Sequence, residues 1–197
     1  MNKKLLLLIG IVIVLGAVVF ILRQGTLQGI PAEKQRTGYS DYKDAEYIID
    51  GEPVKLTNGV AETEGASGSA SKVITRYFGN ELVTDLDGDG KDDDVAFILT
   101  RDYGGSGTFF YAVAAINTDK GYVGSDGYLL GDRIAPMATN LSPNPKHKYV
   151  VTFNYADRAP GEPMTTKPSI GKSVYLKLNV EHMRWGIVVP DFEGESA

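Results

Sequence analysis

Hydrophobic positions fall into one long block near the N-terminus and many short blocks after it. Leu5 to Leu22 reads LLLLIGIVIVLGAVVFIL, eighteen residues without a charge or a strong polar group. As a helix, such a run has the roughly 17–25 residues that a bilayer core requires. Lys3 and Lys4 precede it, and positive charge on that side retains the N-terminus in the cytoplasm. A cleaved signal peptide would carry a shorter apolar region of about 7–15 residues ending in a small-x-small site. Here the run ends in Phe20-Ile21-Leu22-Arg23. The pattern predicts a cytoplasmic stub at 1–4 and an uncleaved transmembrane helix at 5–22. The rest of the chain is then expected on the periplasmic or extracellular side of the cell membrane.

Residues 23–44 are polar, carry Gly25, Gly29, Pro31 and Gly38, and sustain no period, as a flexible tether would. From Ala45 to Val189 the pattern changes to short β-branched and aromatic runs separated by Gly, Pro, Asn and Asp. Tyr47-Ile48-Ile49 and Val54-Lys55-Leu56 flank Asp50-Gly51, a hairpin signature, and Asn58-Gly59 marks another turn. Glu62 to Ser71 reads as a loop. Strands are expected at Lys72–Phe78, Asp94–Thr100, Thr108–Asn117, Tyr128–Leu130, Tyr149–Tyr155, Val174–Val180 and Arg184–Val189. Asp94–Thr100 is nearly continuously apolar, as a central strand would be. The expected fold is mainly β: one antiparallel β-sandwich or open-barrel domain at 45–189, with about nine or ten strands. Residues 190–197 form an acidic tail.

Composition narrows the chemistry. Past residue 23 the chain holds 17 basic and 25 acidic residues, and the whole protein has a net charge of -5. An acidic domain without a basic stripe argues against nucleic acid as a partner. The chain has no cysteine, which excludes disulfides, thiolate metal sites and cysteine nucleophiles. With His147 and His182 as its two histidines, a multi-histidine metal centre is not expected.

The densest chemistry is Asp85-Leu86-Asp87-Gly88-Asp89-Gly90-Lys91-Asp92-Asp93-Asp94, in which six of ten residues are Asp. Calcium takes six to eight hard oxygen ligands at about 2.3–2.6 Å. Carboxylates at loop positions 1, 3 and 5 converge when the chain curls, glycine at position 6 allows the turn, and position 7 offers a backbone carbonyl. Those positions are Asp85, Asp87, Asp89, Gly90 and Lys91, with Asp93 at position 9. The expected Ca2+ ligands are therefore the carboxylates of Asp85, Asp87, Asp89 and Asp93 and the carbonyl of Lys91. Asp94 is left over, as an outer group or a solvated one. Magnesium fits less well, because it demands a compact octahedron and keeps its waters.

Position 12 is Ala96 rather than the bidentate Glu of a helix–loop–helix site, and it falls within an expected strand. A calcium loop running straight into a strand resembles the DxDxDGxxD loops of FG-GAP repeats, found in integrin α-subunit propellers and related bacterial surface proteins. The similarity covers about Asp85 to Ala96 and occurs once, so it implies the metal loop and not a propeller. The wider arrangement is similar to single-pass bacterial envelope proteins with a short N-terminal anchor. That impression rests on Tyr77-Phe78-Gly79-Asn80, the Asp loop, Gly104-Gly105-Ser106-Gly107-Thr108-Phe109 and Leu129-Leu130-Gly131-Asp132-Arg133. It implies a location without implying an activity.

The remaining candidates have simpler readings. Gly104–Gly107 is neither G-x-S-x-G nor a P-loop. Asp132-Arg133 reads as an ion pair, and His147 as a surface residue. Tyr39, Tyr42, Tyr103, Tyr122 and Tyr128 read as loop or strand-end aromatics. The functional expectation is a membrane-anchored, calcium-binding β domain that binds or scaffolds an envelope protein or a glycan, with an enzyme less favoured. The alternative is an envelope hydrolase that uses paired carboxylates.

Overall fold

The computed structural model describes residues 37–65 and 71–189. The expected membrane segment at 5–22, most of the tether and the acidic tail lie outside them. Among the described residues no helix is long and apolar enough to cross a membrane.

Among the described residues twelve strands form, all paired antiparallel: β1 (Glu46–Ile49), β2 (Glu52–Lys55), β3 (Val60–Glu64), β4 (Lys72–Thr84), β5 (Asp94–Asp102), β6 (Phe109–Thr118), β7 (Gly121–Gly124), β8 (Tyr128–Asp132), β9 (Ala135–Leu141), β10 (Val150–Asp157), β11 (Ile170–Asn179) and β12 (Arg184–Ile187). A 3-10 turn at Tyr42–Asp44 precedes β1. The expected mainly β, antiparallel character is what the structure has. The central sheet runs β3-β4-β5-β6-β7, with β8 also on β6, and a second sheet runs β12-β11-β10-β9. The β1–β2 hairpin is a separate two-stranded sheet, tied at Ile48 to Asp126 by a parallel bridge.

Period-two alternation sorts β5 and β6 into two cores. Ala96 and Ile98 of β5 and Phe110, Ala112, Ala114 and Ile116 of β6 pack with Val151, Phe153 and Tyr155 of β10 and Leu176 and Leu178 of β11. Val95, Phe97, Leu99, Tyr111, Val113 and Ala115 point the other way, onto Tyr47, Ile49, Val54 and Leu56 of the hairpin. The central sheet is thus covered on both faces. That explains why β5 and β6 read as continuous apolar runs rather than alternating ones.

Turn chemistry places the hairpins. Asp50 and Gly51 have φ of 54° and 81°, and Asn58 and Gly59 have 49° and 78°, the left-handed pairs that tight two-residue turns need. Three strands went unread from sequence. β3 is largely polar, β9 is largely exposed and holds Pro136, and β7 is bounded by glycines; each is an edge or short strand whose pairing comes from its neighbour. The expected strand at Lys72–Phe78 also runs on to Thr84, through an irregularity at Gly79 and Asn80, whose φ values are 118° and 54°. The irregularity hid the continuation. Residues 39–44 are ordered against the domain: Tyr39 bridges Tyr122, and the Tyr42 ring lies 5.4 Å from that of Phe97. Tyr39, Tyr42 and Tyr122 therefore pack beside the hairpin-side core rather than standing as isolated surface aromatics.

Candidate metal centre

Thr84 and Asp94 are register partners, so residues 85–93 are the loop of the β4–β5 hairpin. Leu86 anchors this loop. It is 2% exposed and belongs to the core between the two sheets. An apolar residue between two aspartates thus plugs into the interior and holds Asp85 and Asp87 at the loop's base.

Backbone amides shape the rest. The Asp85 carboxylate accepts from the Gly88 N–H at 2.6 Å and the Gly90 N–H at 3.1 Å. Asp87 accepts from the Asp89 N–H at 2.9 Å, and Asp89 from the Lys91 N–H at 2.8 Å. Asp92 accepts from the Asp85 N–H at 3.1 Å. Gly88 and Gly90, with φ of 86° and 87°, supply the left-handed turns. A β-carbon on Gly88 would also lie 3.4 Å from the Tyr149 hydroxyl oxygen.

Asp94 closes the loop from below. It is 1% exposed. Its Oδ2 accepts from the Leu86 and Asp87 N–H groups at 2.8 and 3.2 Å, and its Oδ1 from the Asn117 N–H on β6 at 2.8 Å. Burial pushes its pKa above the ordinary carboxylate value. The three amides oppose that shift, and the nearby Asp87 charge adds to it. Asp94 is therefore a buried carboxylate at the loop's foundation, and the reading of it as a solvated group does not hold.

Asp85, Asp87 and Asp94 each present a carboxylate oxygen within 4.8 Å of the other two. Oxygens coordinating one calcium ion at about 2.4 Å can be at most about 4.8 Å apart, so this spacing matches one coordination sphere. Of the residues expected from sequence, the structure brings together Asp85 and Asp87. Asp89 is paired with Lys91, Nζ to Oδ2 at 2.6 Å, and that contact holds the Asp89 carboxyl below its usual range. Asp93 accepts from the Asn117 side-chain amide at 3.1 Å. Asp94, outside the expected set, is the third member of the cluster. Its position at the first residue of a central apolar strand was the available signal, because a charged residue there is buried.

Beside the loop lies an open groove of about 420 Å³. Asp85 and Asp92 line one side, and Asn144, His147, Lys148 and Tyr149 of the β9–β10 connection line the other. His147 is half-buried, with Nδ1 2.9 Å from the Ser142 hydroxyl and its ring against Tyr175. The expected Asp132–Arg133 ion pair is present at 2.9 Å. Comparison with protein-family models, curated proteins and solved structures gave no match to this chain.

Proposed function

We propose that this protein is a single-pass membrane protein whose β domain lies outside the cytoplasm, is stabilised by calcium at the β4–β5 loop, and binds or scaffolds a component of the cell envelope. The observation that carries the calcium reading is the convergence of Asp85, Asp87 and Asp94 on one small volume. Among the described residues none of the three forms an ion pair, and three backbone amides hold Asp94 in place. A divalent cation would supply the missing positive charge. Asp89, the Lys91 carbonyl, Asp93 and water would complete the six to eight oxygens that calcium takes. Because the loop joins two central strands, the ion's role is structural: it neutralises the hairpin's tip and fixes its connection.

Location rests on sequence alone, on the apolar run at 5–22 behind Lys3 and Lys4. The partner is proposed to be an envelope protein or a glycan. The alternative of a hydrolase with paired carboxylates has one observation behind it, the shared groove of Asp85 and Asp92.

Two measurements test this. Protease added to spheroplasts should digest residues 24–197 while the anchor stays in the membrane; a protected domain refutes the topology. Purified full-length protein stripped of metal should bind calcium with saturation, and Asp85→Ala or Asp87→Ala should abolish the binding. Binding that survives both substitutions refutes the site.

A further inference from the structure

We propose that the groove between the Asp loop and the β9–β10 connection is a saccharide-binding site, with Tyr149 as its principal contact surface. The proposal deepens the envelope-binding reading and rests on it, since it takes calcium to occupy Asp85.

Four observations converge. Tyr149 is a non-glycine residue at φ 59°, 37% exposed, at the groove wall. Left-handed backbone at a bulky residue is strained, and such strain persists where a position is held for a task. The residue is too exposed for core packing to be that task. Second, its ring is laid along the Asp loop: a β-carbon on Gly88 would meet Tyr149 Oη, Cζ and Cε2 at 3.4 to 3.6 Å. The ring and the loop are thus neighbours, at ordinary van der Waals spacing for a β-carbon.

Third, the segment that carries Tyr149 is stiff before any ligand arrives. Pro143 and Pro145 bracket Asn144, which is 9% exposed. The Asn144 side-chain oxygen accepts from the Lys146 N–H at 3.0 Å and its carbonyl from the His147 N–H at 2.9 Å. The Ser142 hydroxyl ties to His147 at 2.9 Å. A preorganised wall loses little entropy on binding.

Fourth, the charges select the ligand class. With Asp85 taken up by the cation, the groove retains Asp92 and Lys148, one of each sign. Such a pair disfavours a net anion and a net cation alike, and its exposed charges disfavour an apolar molecule. Carboxylate, ammonium and imidazole groups around a phenol ring suit vicinal hydroxyls, with the ring under the sugar's C–H face. A volume of about 420 Å³ lies within the roughly 300–1,000 Å³ range of small-molecule sites. The occupant is therefore a short neutral saccharide or the end of a longer one.

The test uses calcium-loaded full-length protein and three probes, cellobiose, chitobiose and maltotriose, each titrated to millimolar concentration by calorimetry. At least one should bind with saturation and slow amide exchange in residues 142–149. Tyr149→Gly removes the ring and relieves the backbone. It should leave the melting temperature unchanged or raised and lower the affinity at least tenfold, while Tyr149→Phe should retain binding. A Tyr149→Gly protein that melts earlier and still binds sugar shows that the residue is only structural and overturns the proposal. Absence of saturable binding by all three probes, in protein whose calcium response is intact, also overturns it. Loss of the calcium response itself would instead refute the metal reading.

Discussion

At the β1–β2 turn, Asp50 and Glu52 face the guanidinium of Arg101, which is 3% exposed. Arg101 donates to Glu52 and to the Ile49 carbonyl at 2.8 and 2.9 Å, and its Nη1 lies 3.9 Å from Asp50. Asp50 also accepts from the Tyr103 hydroxyl and, at 2.8 Å, from the Tyr111 hydroxyl. Burial and that carboxylate push both tyrosines above their ordinary pKa. At the β4–β5 turn, Asp85, Asp87 and Asp94 face one another instead, and their donors are backbone amides. Both corners close hairpins of the same domain. The first carries its own cation, Arg101. At the second, Lys91 is taken up by Asp89, and the donors to Asp85, Asp87 and Asp94 are amides, whose dipoles do not cancel three carboxylates. The proposed cation site lies at the second corner.

The largest expected effect breaks the second corner from below. Asp94→Ala leaves the Leu86, Asp87 and Asn117 amides without their acceptor, and each buried orphan donor costs about 1–3 kcal/mol. Urea unfolding of the full-length protein should show a loss of roughly 3–5 kcal/mol, with the calcium response gone as well. An Asp94→Ala protein as stable as wild type would remove this residue from the loop's foundation.

Next in size is the cation itself. Calcium at a hundredfold excess over its Kd should stabilise the folded state by about 2.7 kcal/mol, read as a rise in melting temperature that chelator reverses. Asp87→Ala should abolish the rise. Identical melting curves in calcium and in chelator, for protein shown to be metal-free at the start, would erase the difference between the two corners.

Arg101→Ala sharpens the comparison from the other side. It leaves the Ile49 carbonyl without its donor and Asp50 and Glu52 without their cation, a destabilisation of about 2 kcal/mol. Glu52 is largely exposed and rehydrates, which limits the loss. The calcium-induced shift in melting temperature should be the same as in wild type. A changed shift would mean that the two corners are coupled.

The smallest effect is in the pH profile. Burial alone would raise the Glu81 pKa. The Tyr42 and Tyr77 hydroxyls and the Lys43 ammonium outweigh it and hold the group below its ordinary 4.5. The stability it contributes is complete above that ordinary value and is lost as pH falls through the lowered folded one. Asp94 runs the opposite way. Its folded pKa is raised, so in chelator its ionisation weakens the domain as pH rises through the window above 3.8. A melting-temperature series in chelator should show the Glu81→Gln difference from wild type shrinking toward acid pH. A difference that does not change with pH would exclude the hydroxyl-held carboxylate.

Much of the β architecture was legible in local pattern. Apolar runs at Asp94–Thr100 and Thr108–Asn117 marked the central pair, and Asp50-Gly51 and Asn58-Gly59 marked turns whose left-handed φ values only such residues adopt without strain. These signals lie within a few residues of one another, so the chain's own propensities decide them. β3, β7 and β9 were illegible because edge strands borrow their order from a neighbour's hydrogen bonds rather than from a hydrophobic period.

The acidic loop shows the same division at finer scale. Carboxylate spacing and glycine placement pointed to a cation loop, and the structure does bring Asp85 and Asp87 together at the hairpin tip. Which further group joins them was a tertiary decision. Asp94 enters because the register of β5 against β4 and β6 turns it inward beneath the loop, onto the Asn117 amide. The pairing of Tyr149 with Gly88, across more than sixty residues of chain, was likewise invisible in one dimension, because packing between separate hairpins creates it and no local spacing encodes it.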